Sequence, residues 1–205
     1  MAIYHASRTR GLKVLEPRVG THKQAWVYAT VNPVLALTYG AEWCNYDFMQ
    51  TVDQQGKVYL SECYEGAFDT IYKGRNCSLY ELEDSGFERK TSFVGEVVSP
   101  NSAKVLGETK IEDIYAELLK HEKAGELVVN RYEKTEWYKN YIESYIIESL
   151  VKSGWIKPSE VISRLINNQS NLSAEAQKAN KPVIEKLRKV VKSGEKINCE
   201  MTNDK

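Results

Sequence analysis

The sequence predicts an α+β fold, with a β-rich part over residues 1–110, a helical part over 111–197 and a polar, frayed tail over 198–205. Three observations predict it. Fourteen of the 21 aromatic residues, including all four Phe, precede residue 111, in short β-forming runs separated by turn residues. Beyond residue 110 apolar residues recur at three- and four-residue steps instead. The two parts meet at Val105, Leu106, Gly107, Glu108, Thr109 and Lys110, with no Gly/Ser- or Pro-rich spacer.

Ile3-Tyr4-His5 and Trp26-Val27-Tyr28-Ala29-Thr30 read as the first strands. Asn32-Pro33 then opens a helix expected over 33 to about 43, with Asn32 as N-cap and Pro33 at the first helical position, where its missing N–H costs nothing. The turn Asp53-Gln54-Gln55-Gly56 leads into a strand over 57–63, and 92–98 forms another, stopped by Ser99-Pro100-Asn101. Ile111, Ile114, Tyr115, Leu118 and Leu119 mark the first helix of the second part, with Gly125 as its stop. Tyr138, Tyr141, Ile142, Tyr145, Ile146 and Leu150 mark a longer one ending at Ser153-Gly154. Pro158 starts a third, and Ser173 is positioned to cap a fourth running toward Ser193-Gly194, in which Pro182 implies a kink or break.

The chain has 205 residues, 42% hydrophobic and 27% charged, which excludes a mainly disordered chain. Lys plus Arg and Asp plus Glu balance at 28 each, so nothing suggests the one-sided basic field of a general nucleic-acid binder. No apolar run approaches the roughly 18 residues of a membrane span, so no membrane association is expected. Met1 to His5 shows no basic stretch followed by an apolar one. Cys44, Cys63, Cys77 and Cys199 lack C-x-x-C spacing. A cytoplasmic protein with free thiols is expected. There is no phosphate-cradling glycine loop, no thiol with an evident base and no metal-ligand set.

The residues that remain form an ordered series. Tyr4-His5-Ala6-Ser7 is followed by Gly11-Leu12, Leu15-Glu16-Pro17 and Val27-Tyr28-Ala29-Thr30, then by Ala36 and Gly40-Ala41. Gly56-Lys57-Val58-Tyr59 with Glu62, Glu65-Gly66-Ala67, Phe87-Glu88-Arg89 and Val94-Gly95-Glu96-Val97 continue it. Over roughly residues 3–106 this series resembles the ADP-ribosyltransferase superfamily, most closely the small rifampin ADP-ribosyltransferase-like proteins.

The resemblance implies a split antiparallel β-sheet of ADP-ribosyltransferase type with a carboxy-terminal helical unit, and NAD as a substrate that gives up nicotinamide. His5 would donate a hydrogen bond to the ribose, and Ala6 would let the backbone approach the carboxamide. Tyr28 would stack on the nicotinamide ring, with Ser7 and Thr30 completing the NAD-binding set. The acid that stabilises the developing positive charge would be Glu96, or Asp69 by the register of the rifampin enzymes. Glu81 and Glu83 resemble a paired-glutamate motif, but no strand followed by Pro continues from them, and they read as a solvated edge or turn. The acceptor is not legible. Alternatives on the same scaffold are a non-enzymatic module binding a nucleotide or partner, and an RNA 2′-phosphotransferase-like enzyme drawing on His22, Arg8, Arg10 and Arg18. His22 lies in the loop before Tyr28, where it reads as solvated but could flank the cofactor. His121 reads as a solvated helix residue. The tyrosine-bearing helix around Trp137 to Tyr145 would suit a homodimer or another protein partner.

Overall fold

The computed structural model describes residues 2–20, 22–43, 45–84, 86–91, 93–151, 154, 156–169 and 174–193. Ten strands alternate with short helices: β1 (Ile3–Ser7), β2 (Val14–Leu15), β3 (Arg18–Val19), β4 (Ala25–Thr30), α1 (Pro33–Thr38), β5 (Phe48–Val52), β6 (Val58–Glu62), α2 (Ala67–Tyr72), β7 (Cys77–Leu82), β8 (Glu96–Ser99), β9 (Ala103–Ile111), α3 (Ile114–Lys123) and β10 (Leu127–Asn130). Then come α4 (Glu136–Ser144), a π-helical stretch Tyr145–Val151, α5 (Pro158–Gln169) and α6 (Ala174–Ser193). The architecture is α+β with an antiparallel sheet. That sheet has seven strands in the order β2-β9-β7-β1-β4-β3, with β8 added on β4; a three-stranded sheet has the order β10-β6-β5.

The chain divides into two compact units that are not consecutive in sequence. One comprises Met1–Trp43, Gln50–Leu60 and Ile71–Val129, the other Cys44–Met49, Ser61–Thr70 and Asn130–Lys205. The expected boundary at residue 110 therefore shifts. The stretch 105–110 lies inside β9, which pairs with β7 from Cys77↔Ile111 to Leu82↔Val105, and the first unit continues through α3. The expected tail 198–205 and the expected cap Ser173 lie outside the described residues, as do Cys44 and Cys199.

In the first unit, alternate residues of the strands converge on a core of Ile3, Leu15, Val27, Ala29, Tyr80, Leu82, Val97 and Ala103. Val27 and Ala29 point into it, so Tyr28 and Thr30 point to the opposite face. The loop after β1 is tied to this core by the Tyr80 hydroxyl, which donates to the Thr9 carbonyl (2.7 Å) and accepts from the Leu12 N–H (3.3 Å). Asn32 caps α1 as expected, its side chain accepting from the N–H groups of Val34 (2.9 Å) and Leu35 (3.0 Å). The helix stops at Thr38, short of 43, because the Thr38 carbonyl is taken by Trp43 Nε1–H (2.7 Å) and the Tyr72 hydroxyl (2.9 Å) in place of a further helical turn. Strand β8 begins only at Glu96, since Gly95 turns the chain at φ +91°, where a Cβ would lie 2.9 Å from Leu35.

The second unit is built around buried Glu62, whose carboxylate accepts from the N–H groups of Phe68 and Tyr132, each at 2.8 Å. Burial pushes this carboxyl above the ordinary glutamate range, against the opposing pull of those N–H groups. The aromatic stripe on α4 divides: Tyr138 and Ile142 are buried, whereas Trp137 and Tyr141 are exposed and stack on each other at 5.5 Å. Val161 and Leu165 of α5 and Val183 and Leu187 of α6 are buried. Pro182 does not break α6, which runs as one helix through it.

Candidate functional site

Strands β1 and β4 meet at one pair, Tyr4↔Thr30. A continued ladder would set Ala6 opposite Tyr28; instead the imidazole of His5 spans the gap, with Nδ1 2.8 Å from the Tyr28 carbonyl. A carbonyl only accepts, so Nδ1 carries the proton in this bond. Burial holds His5 below the ordinary histidine pKa, outweighing the bond to Tyr28, and the nearby Arg18 charge acts in the same sense as burial. The ring is therefore neutral and Nε2 is a hydrogen-bond acceptor.

On its other side β4 pairs fully with β8, from Val27↔Ser99 to Thr30↔Glu96. Directly opposed residues share a face, which aligns Tyr4, Thr30 and Glu96 in a row across three strands, with Tyr28 two positions along on the same face. His5 belongs by alternation to the face of Ile3. Its ring joins this row because the strands part beside it.

A cavity of about 360 Å³ opens here, at the lower end of the range for small-molecule sites. Of the residues singled out in the sequence, His5, Ala6, Tyr28, Thr30 and Glu96 line it. Ser7 and Asp69 are not in this lining. Ser7 ends β1, where its hydroxyl accepts from the Thr9 N–H (3.1 Å), and Asp69 sits in the first turn of α2. Glu81 lies within β7, exposed and paired with Tyr4, not at an edge. Arg8 pairs with Glu42 (3.2 Å), Arg10 with Glu112 (2.8 Å), and Arg18 is exposed on β3. His121 contacts Glu126 at 2.6 Å. Among the described residues, no group of three His, Cys, Asp or Glu side chains is placed to hold a metal ion.

Of the other lining residues, Ala36 belongs to the ordered series, whereas Leu35, Tyr39, Phe93 and Gly20 had no role assigned from the sequence. Leu35, Ala36 and Tyr39 share one side of α1 and its last turn, and Phe93 lies just ahead of Glu96. The helical spacing of Leu35, Ala36 and Tyr39 was the available signal. Tyr39 is anchored by its hydroxyl, which donates to Gln50 Oε1 (2.6 Å), and its ring stacks on Trp43 at 5.1 Å. Gly20 is the other, because Tyr28 lies directly against it: a Cβ there would be 2.6 Å from the ring. Tyr28 itself has its phenol pushed up by burial and by the charge of Glu96, against the pull of the backbone N–H of His22. One oxygen of Glu96, Oε1, is buried and accepts no hydrogen bond from any described residue.

The lining thus combines aromatic and aliphatic walls, a neutral imidazole that accepts, and a carboxylate whose Oε1 lies 3.4 Å from Nε2 of His22. Aromatic walls of this kind suit a flat ring, and a carboxylate suits positive charge beside it. No protein-family model, curated protein or solved structure matches this chain. No described helix is long and apolar enough to cross a membrane.

Proposed function

We propose that the chain is an NAD-dependent mono-ADP-ribosyltransferase on a split antiparallel sheet of the ADP-ribosyltransferase type. The observation that carries this reading is the bond from His5 to the Tyr28 carbonyl across the parting of β1 and β4, with Tyr28 and Glu96 lining the same cavity. The nicotinamide ring packs against Tyr28 and Tyr39, and Ala6 leaves the β1 backbone accessible to its carboxamide. His5 accepts a ribose hydroxyl at Nε2. This reverses the donor role expected from the resemblance, since its one N–H is already given to Tyr28. As the bond from ribose C1′ to the nicotinamide nitrogen breaks, its electron pair leaves with nicotinamide. The cationic sugar that remains is stabilised by Glu96, whose buried Oε1 accepts no hydrogen bond from the described residues.

The test is incubation of the purified protein with NAD, followed by chromatography for free nicotinamide. Release above the buffer rate supports the reading. Saturable NAD binding without release would replace it with the nucleotide-binding module, and absence of both would remove NAD from consideration.

A further inference from the structure

The turn between β3 and β4 folds back on itself. Gly20 N–H donates to the Gln24 carbonyl (3.3 Å), Lys23 N–H to the Gly20 carbonyl (3.0 Å), and Lys23 takes the left-handed conformation at φ 55°. This carries the His22 imidazole over the Tyr28 ring, with centroids 6.0 Å apart and planes 18° from parallel. Nε2 of His22 then stands 3.4 Å from Oε1 of Glu96, beyond a normal N–H···O distance. Oε1 is the same buried oxygen that accepts no hydrogen bond from the described residues.

A nucleophile adding to a sugar carbon held at Glu96 therefore arrives within reach of His22. Its proton needs a destination. His5 gives its Nδ1–H to Tyr28 and its Nε2 to the ribose hydroxyl, the Tyr28 phenol holds its proton more firmly than usual, and Glu96 must keep its charge while the sugar is cationic. The His22 side chain is 29% exposed, so it can take a proton and pass it to bulk water.

We propose that His22 is the general base that activates the acceptor, and hence that the acceptor is a neutral O–H or N–H nucleophile. An anion such as a carboxylate would need no base. This rests on the transferase reading. In the step, the acceptor's lone pair forms the new bond to C1′, its proton passes to His22, and nicotinamide has already departed with the glycosidic electron pair. His22 later loses the proton to water.

The test needs no knowledge of the natural acceptor. Wild-type protein, His22→Ala and His22→Gln are incubated with NAD in methanol plus sodium azide, and the O-methyl and azido adducts of ADP-ribose are quantified by mass spectrometry. Methanol must lose a proton on capture; azide has none to lose. His22→Gln retains a donor toward Glu96 but is no base. The expected result is a fall of at least about 10-fold in the methyl-to-azide ratio for both variants, toward the 10²–10⁴ that a positioned base contributes. An unchanged ratio overturns the proposal, including the case in which both adducts fall together, since His22 would then only position Glu96. Failure of wild-type protein to cleave NAD with either nucleophile is a separate outcome, which removes the transferase reading and this proposal with it.

Discussion

Gly20→Ala tests whether Tyr28 is a wall of the ligand site. A Cβ on Gly20 would fall 2.6 Å from Tyr28 Cε2, 2.7 Å from Cζ and 2.8 Å from the hydroxyl oxygen. Carbon atoms pack at about 3.5–4.0 Å, so the ring has to withdraw by about 1 Å. Tyr28 is half-buried and can swing, so the cost should appear in the cavity and not in the core, with stability changing by about 0.5 kcal/mol or less. Aromatic stacking contributes about 0.5–1.5 kcal/mol, so losing it should weaken nicotinamide and NAD binding by about 2- to 13-fold. Calorimetric titration measures this directly. Because Gly20→Ala acts through the Tyr28 ring, it should be silent in a Tyr28→Ala background. A loss of the same size in that background, or full affinity in the single variant, would refute the reasoning.

Glu96→Gln should lower NAD turnover by about 10²–10³ with little change in NAD affinity, because the charge matters most in the transition state, whereas Asp69→Asn should leave turnover near wild type; initial rates and titrations decide, and the reverse pattern would hand the role to Asp69. Asn32→Ala strips the cap from two N–H groups of α1, which should cost about 1–2 kcal/mol and lower the thermal midpoint by about 2–8 °C in a melting scan. Glu62 has its folded-state pKa raised by burial, so between the ordinary glutamate pKa and that higher value the native state binds more protons than the unfolded state. Stability should therefore fall as pH rises through this window, and urea titrations of Glu62→Gln across it should show a flatter dependence than wild type.

How much of this was legible in the sequence follows from the range of the interactions involved. The cap at Asn32-Pro33, the stop at Gly125 (φ +79°) and the start of α5 at Pro158 are set within a few residues, and each is where local chemistry placed it. β7 and β9 are not of this kind. β7 buries both Cys77 and Ser78 in succession, and β9 places the exposed Leu106 in the same alternate-residue series as Lys104, Glu108 and Lys110, so neither shows clean alternation; they pair with each other over six positions. The division into units escaped notice because two short segments, 44–49 and 61–70, leave the first unit in mid-sequence. At the site, the ordered motifs led to His5, Tyr28 and Glu96. Gly20 could not be read, because its requirement comes from a side chain eight residues away in sequence. The π-helical form of Tyr145–Val151 has no signal in the apolar spacing we followed.

The charge within the cavity bears on the choice between the proposed transferase and the phosphotransferase alternative. Phosphoryl transfer needs cations or backbone donors aimed at anionic oxygens, and arginine or lysine usually supplies them. Among the described lining residues the ionised group is a carboxylate, Glu96, and His5 is held neutral by burial. Of the arginines that could have served a phosphate, Arg8 is paired with Glu42 and Arg10 with Glu112, while Arg18 is exposed on β3 with its charge acting on His5. A phosphate placed in this cavity would meet the like charge of Glu96, whereas a carbocation would meet an opposite one. On the transferase reading the pyrophosphate of NAD therefore stays outside, and the cavity takes the nicotinamide and its ribose. Nicotinamide should therefore compete with NAD in a binding assay, and inorganic phosphate at equal concentration should not. Competition by phosphate alone would reverse this assignment and favour the phosphotransferase.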